Sequence, residues 1–324
     1  MFKCKQLLRR ICVVSYVFLL CGGLVNASNL VSKTNTLIGT QGNGWASGYL
    51  YPGATYPFGM VQFTPTYFTK QLGFVINQLS GAGCDHMGNF PTLPIAGALR
   101  VSPDSILNMQ TPVGKEIAAT VDHSIRAELT VTERTGMARY TFSSKEKQGT
   151  VIIGGGVAAT SIQVAAIKIT GPHSCEGYAE GGAFCGIPTP YKVYFVAEFD
   201  ADAESFGTWK EERLHANHTF AEGNHSGVYF TFPLKEGNQA VQYKIGVSYV
   251  SVENARENLR VENPAWDFSA VRQATQDKWN EYLGKIEVEG DNEDRQMQFY
   301  THLYRSLIHP NVCSDVNGEY MGAD

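Results

Sequence analysis

Ile125-Arg-Ala-Glu-Leu-Thr-Val-Thr-Glu133 alternates strictly, with Ile125, Ala127, Leu129 and Val131 on one face and Arg126, Glu128, Thr130 and Thr132 on the other. A period of two is what a strand with one buried and one wet face requires. The same pattern recurs at 138–142, 151–153, 162–169, 192–199, 228–232 and 243–250. Turn residues separate the runs, among them Gly154-Gly-Gly156, Glu222-Gly-Asn224 and Glu236-Gly-Asn238. Many short strands with no long helix between them predict a mainly β fold, an antiparallel β-sandwich.

Beyond Val252 the period changes. A short helix is expected over 253–259. The spacing of Phe268, Val271, Thr275, Trp279, Tyr282 and Ile286 by threes and fours predicts a longer one. Residues 286–290 read as a brief strand. Asp291-Asn292 caps a further helix, with Met297, Tyr300, Tyr304 and Leu307 inward, that stops at His309-Pro310 because proline cannot continue the hydrogen-bond ladder. Asn311 to Asp324 reads as a loop, and two amphipathic helices without partners look like the start of a second, helical domain.

The chain has 324 residues, 43 % hydrophobic and 18 % charged, which suits a globular protein with a sizeable core. With a net charge of −5 and no basic run, nucleic acid is not an expected partner, whereas a neutral polar ligand such as a sugar is compatible. Residues 1–27 read as a signal peptide. Lys3, Lys5, Arg9 and Arg10 form a basic start, 11–25 is apolar but short for a membrane span, and Val25-Asn-Ala27 offers a cleavage pattern. Losing those four basic residues and no acidic one would take the net charge from −5 to −9. Lipidation at Cys21 is disfavoured, since Phe18-Leu-Leu-Cys21 lacks the usual small residue. Export to the periplasm or beyond is the expectation, with no membrane span. Export permits disulfides. Cys175 and Cys185 bracket a Gly-rich stretch that one could close, while Cys84 and Cys313 read as free thiols. No cysteine pair has zinc-site spacing.

Glycine and proline concentrate in 39–94, interleaved with aromatics. Such a backbone is either a ligand-facing surface or a locked structural loop. Trp45, Tyr49 and Tyr51 could stack on a sugar face, although core packing is the commoner fate of large aromatics. Asp85 and His86, in the Gly-rich loop 81–91, are either solvated turn residues or hydrogen-bond partners for ligand hydroxyls. His302 and His309 lie on the last helix, where satisfied seam histidines are expected, and the remaining histidines read as surface residues. Val151-Ile-Ile-Gly-Gly-Gly-Val-Ala-Ala159 imitates a dinucleotide fingerprint, but a strand rather than a helix follows, so no helix N-terminus is there for a pyrophosphate. Asp315 and Asn317 read as an ordinary turn.

Four sets of residues resemble glycoside hydrolase family 92, the exo-acting α-mannosidases: Asn35-Thr-Leu-Ile-Gly-Thr, Tyr51-Pro-Gly-Ala-Thr-x-Pro-Phe-Gly-Met-Val-Gln, Leu79-Ser-Gly-x-Gly-Cys, and Phe299-Tyr-x-x-Leu-Tyr-x-Ser-Leu-x-His-Pro-Asn-Val-x-Ser-Asp-Val-Asn-Gly-x-Tyr-x-Gly-x-Asp324. Asn263-Pro-x-Trp-Asp-Phe and Asp277-Lys-Trp-Asn are similar to the linker of the same family. The resemblance implies a sandwich over 28–262, then over 263–324 linker helices and a truncated start of an (α/α)6 barrel. It also implies a calcium ion, bound mostly by the missing barrel, and inversion at the anomeric carbon by a paired acid and base. Those carboxylates are expected in the later barrel, so neither role falls on a residue of this chain. What carries over is the sandwich side of a pocket for a mannose-containing glycan: Gly83, Cys84, Asp85, His86, Asn89 and Asp324. A stand-alone carbohydrate-binding module and a non-functional truncated remnant are the alternatives. The stretch 65–74 is short where many members carry a Trp-rich insertion, which removes the usual sandwich-side tryptophan from the expected contacts.

Overall fold

The computed structural model describes residues 29–41, 50–66, 72–80, 87–108, 112, 125–182, 189–236 and 239–322. In chain order the strands are β1 (Ala54–Thr55), β2 (Gln62–Pro65), β3 (Phe74–Val75), β4 (Thr92–Ala96), β5 (Ile125–Val131), β6 (Thr135–Phe142), β7 (Gln148–Gly154) and β8 (Ile162–Gly171). They continue with β9 (Ser174–Gly181), β10 (Tyr191–Phe199), β11 (Ser205–Lys210), β12 (Arg213–Ala216), β13 (Phe220–Glu222), β14 (Ser226–Pro233) and β15 (Ala240–Ser248). The helices are α1 (Pro103–Leu107), between β4 and β5, and then α2 (Val252–Glu262), α3 (Phe268–Leu283) and α4 (Glu293–Ser306) after the last strand.

Two antiparallel sheets result. One runs β1-β2-β3-β4-β7-β14-β11-β12 and the other β13-β8-β9-β10-β15-β6-β5. Their facing sides close the main core. Val151 and Ile153, Val228, Phe230 and Phe232 come from the first sheet, and Phe195, Phe199, Tyr243 and Ile245 from the second, all with almost no exposure. The alternation in β5 is therefore real, and its register with β6 pairs Ile125 with Phe142 and Val131 with Gly136. On the outer side of the first sheet, Ile106 and Leu107 of α1 cover Leu93, Ile152 and Trp209. On the outer side of the second, Ala255 and Leu259 of α2 cover Val196.

The helices start where side chains can cap them. Ser251, Asp267 and Asn292 accept from the backbone N–H of Asn254, Ala270 and Arg295, respectively. Pro103 begins α1 behind a Ser102 cap. Helix α4 ends at Ser306, ahead of His309-Pro310.

Three expectations change. The Gly-rich stretch 176–184 between Cys175 and Cys185, expected as a loop, is strand up to Gly181, in β9, which pairs with both β8 and β10. Residues 286–290, read as a strand, have no ladder partner among the described residues, and the Val288 N–H instead donates to the Tyr300 hydroxyl at 3.2 Å. Third, Cys175 does not bridge. Its thiol is free and fully buried among core side chains of the two sheets. The strand holding it runs on to Gly181, about 20 Å away at ~3.3 Å per residue. Cys185 comes after that far end in sequence and lies outside the described residues. Burial also pushes the Cys175 thiol pKa well up, so this sulfur is an inert core group.

Helix α2 lies close against β15 because Gly246 permits it. A Cβ there would stand 2.4 Å from the Ala255 carbonyl oxygen and 2.9 Å from Leu259 Cβ. Gly246→Ala should push α2 off the sheet and cost about 1–3 kcal/mol, the usual range for overpacking. Denaturant unfolding monitored by circular dichroism measures it, and an unchanged midpoint would contradict the close contact.

Candidate functional site

The irregular segment 50–61 has few sheet partners, so its backbone groups look to the helices for hydrogen bonds. Trp279 Nε1 on α3 donates to the Thr55 carbonyl at 2.7 Å, and the Thr55 hydroxyl meets the Tyr304 hydroxyl of α4 at 2.7 Å. Arg305 Nη1 donates to the Tyr51 carbonyl at 3.0 Å and its Nη2 to the Thr36 carbonyl at 2.6 Å. Burial lowers the Arg305 pKa, yet its partners are carbonyls rather than a carboxylate. Phe58 adopts φ 56°, a left-handed conformation that strains a bulky residue. Two backbone bonds hold it there, Phe58 N–H to the Leu307 carbonyl at 2.8 Å and Val312 N–H to the Phe58 carbonyl at 2.7 Å. Met87 and Phe90 are left-handed too, at φ 41° and 56°. Such outliers cluster where function constrains a backbone.

Next to them lies a polar network around Ser80 and Asn89, on either side of the undescribed residues 81–86. Asn77 Nδ2 donates to Asn89 Oδ1 at 3.0 Å, and the Asn89 N–H returns to Asn77 Oδ1 at 2.7 Å. The Tyr191 hydroxyl donates to the same Asn89 oxygen at 2.9 Å and sits 3.1 Å from the Thr160 hydroxyl. Burial raises the Tyr191 and Tyr249 phenols, opposed in part by hydrogen bonds with Thr160 and Asn89 for the first and Asn77 for the second. The Ser80 N–H donates to Gln62 Oε1 at 3.0 Å, and the Tyr51 N–H to Ser80 Oγ at 3.1 Å. Among the described residues, Gln62 Nε2, Asn89 Nδ2 and both amide atoms of Gln78 are buried without a partner.

The expected site residues can now be placed. Asn89 is fully buried and holds the loop base, so it is a scaffold residue and not one that a sugar reaches. Gly83, Cys84, Asp85, His86 and Asp324 lie outside the described residues, as do Trp45 and Tyr49. Tyr51 is buried in the protein, not offered for stacking. His302 is exposed, whereas His309 is a satisfied seam histidine: Nε2 donates to the Ser80 carbonyl at 3.1 Å and Nδ1 faces Asn311 Oδ1 at 2.7 Å. His309 thus joins the last loop to the residue that opens the Gly-rich loop.

Asp315 is the residue that sequence reasoning undervalued. It is 2 % exposed, the one deeply buried carboxylate among the described residues. It accepts from Ser248 Oγ at 2.6 Å, Asn254 Nδ2 at 2.9 Å and Asn258 Nδ2 at 2.6 Å. Asn258 Oδ1 in turn accepts the Val316 N–H at 2.9 Å. Beside this hub, Arg134 clasps Glu262 with its backbone N–H at 2.8 Å and Nη1 at 2.7 Å, while its Nε reaches the Ser314 carbonyl at 2.6 Å. The available signal was the Ser-Asp-Val-Asn-Gly string itself, inside the longest quoted motif.

Among the described residues no group of three or more histidines, cysteines and acids is arranged to hold a metal ion. Asp315 does not offer itself either, because N–H and O–H donors surround its oxygens. The described residues therefore offer no cluster of carboxylates for a calcium ion.

The family description "Glycosyl hydrolase family 92 N-terminal domain" matches residues 34–248, and "Glycosyl hydrolase family 92 catalytic domain" matches 254–324. The chain belongs to glycosyl hydrolase family 92. Among solved structures it is similar to the family GH92 α-mannosidase BT3965 from Bacteroides thetaiotaomicron, with TM-score 0.77 and 22 % identity over 91 % of this chain and 43 % of that one. The same protein is also known in complex with mannoimidazole. The inverting mannosidase BT2199 of Bacteroides thetaiotaomicron VPI-5482 aligns with TM-score 0.72 and 24 % identity over 89 % of this chain and 41 % of that one. At these identities the likeness speaks for the fold. The chain spans less than half the length of these relatives, and no curated protein matches it.

Asn77→Ala would remove both hydrogen bonds to Asn89 and the one to Tyr249 and strand the buried Asn89 N–H, for an expected loss of about 2–4 kcal/mol. Tyr191→Phe removes the hydroxyl's bonds to Asn89 and Thr160 but strands no backbone group, since Asn89 Oδ1 keeps its bond from Asn77, and should cost only about 0.5–1.5 kcal/mol. Equal costs in urea unfolding would show that Asn77 is not the centre of the network.

Proposed function

We propose that this chain is the N-terminal portion of an inverting exo-α-mannosidase acting on terminal α-linked mannose of N-glycans or mannans, and that it supplies the sandwich side of the mannose pocket. The observation that carries the reading is the match of two consecutive family 92 domains, meeting between residues 248 and 254. The mannoimidazole complex of the relative BT3965 supports mannose as the sugar.

Inversion needs one carboxylic acid to protonate the leaving oxygen and one carboxylate to activate water on the opposite face. Asp315 is saturated by three donors and buried, so it serves neither role here. We assign the acid and base, and any calcium ion, to barrel segments beyond the described residues. The part played by this chain is positional. Asn77, Asn89 and Tyr191 hold the base of the Gly-rich loop, and His309 pins the last loop beside it. Residues 1–27 support export to the periplasm or the exterior. No helix among the described residues is long and apolar enough to cross a membrane.

The pure 324-residue chain should give no hydrolysis of an aryl α-mannoside with calcium present, and should bind methyl α-mannoside only weakly, in the ~mM range where little ligand surface is enclosed. Joined to a family 92 barrel it should turn over. Clear turnover by the chain alone would overturn the reading, and tight binding alone would favour an independent carbohydrate-binding module.

A further inference from the structure

Asp315 is a carboxylate deep inside the protein with no cationic partner among the described residues. Taking a charge out of water is costly unless fixed dipoles replace the water. Here two amides and a hydroxyl do so, one from the end of β15 and two from adjacent turns of α2. Its partners belong to the second sheet itself, through Ser248, and to the helix that covers it, through Asn254 and Asn258. The loop carrying it folds over its own backbone, with Asp315 N–H donating to the Glu319 carbonyl at 2.8 Å and Gly318 N–H to the Asp315 carbonyl at 2.9 Å. Asn254 holds that turn a second time, through Glu319 at 2.8 Å. At its other end the loop is tied to strained Phe58 by Val312 and to Ser80 by His309.

We propose that Asp315 is a positioning residue, whose buried charge seats residues 308–320 against the sandwich and thereby sets where His309 stands relative to Ser80. The proposal rests on reading this region as half of a mannose pocket. The negative charge is itself required. An asparagine in its place has the same shape, but whichever way the amide turns, its NH2 meets the NH2 of Asn254 or Asn258.

Hydrogen exchange read by mass spectrometry and NMR, with saturation transfer from methyl α-mannoside, tests this on the whole chain. In Asp315→Asn, exchange at Val316 and Gly318 should rise about 100-fold and at Val312 and Phe58 about 10-fold, as expected of local opening. Amides of β7 should stay within about two-fold, because a seated loop opens apart from the core. The mannoside signal should fall by more than about half, following the loss of pocket geometry. Loosening confined to 315–319, loosening shared equally with β7, or an unchanged mannoside signal would each overturn the proposal. If Asp315→Asn does not fold, Asn254→Ala decides, with an intermediate rise of about 10-fold at Val316 expected from loss of one donor and none overturning it. A wild-type chain that gives no mannoside signal would overturn the pocket reading alone, since exchange still reports on the loop.

Discussion

The structure depends on how the irregular backbone of residues 36–41 and 50–59 is satisfied. A buried carbonyl without a donor costs about 1–3 kcal/mol, and this segment is too irregular for a sheet to supply every donor. Trp279, Arg305 and Asn311 reach the carbonyls of Thr55, Tyr51, Thr36 and Gly59. The helices are needed by the sandwich as much as the sandwich by the helices. The small cluster of Leu30, Trp279, Leu283, Tyr300, Tyr304 and Ile308 is built from both ends of the chain, and Val31 N–H donates to Asn280 at 3.0 Å. Residues more than 240 apart in sequence therefore fix each other, and the Gly- and Pro-rich segment lies between them.

Most of the sandwich could be read from alternation, because large apolar residues face inward at most alternate positions: Leu129 and Val131 of β5, Val193, Phe195 and Phe199 of β10, and Val228, Phe230 and Phe232 of β14. Strand β9 escaped that test for a physical reason. Its inward positions are Cys175, Gly177, Ala179 and Gly181, all small. At Gly177 a Cβ would meet the Ala166 carbonyl oxygen at 2.2 Å and the Phe195 ring at 3.0 Å, so the space belongs to its neighbours. The converse error came at 286–290, where Ile286 and Val288 alternate with glutamates. Alternation there has no strand to pair with, and Ile286 remains half exposed.

The candidate site was less legible, since its polar residues act over long sequence separations. Asp315 looks like part of a turn, and locally it is one. Its burial comes from Ser248, Asn254 and Asn258, which no local pattern connects to it. Asn89 was chosen for its place in a Gly-rich loop, but an amide can face a ligand or hold a backbone, and composition does not distinguish these. The partner that decides the matter, Tyr191, sits on another strand.

The division of the family between residues 248 and 254 bears on whether the sandwich can be an independent unit. Cutting there would separate Ser248 from Asn254, Asn258 and Asp315, and would strip α2 from the sheet at Val196 and Gly246. The partly buried Arg134–Glu262 pair would be cut as well, leaving Arg134 on the β5–β6 turn with Glu133 alone. The sequence boundary between the two domains is therefore not a physical boundary. The sandwich and the first turns of the catalytic domain share one polar seam, and the candidate half-site is built across it.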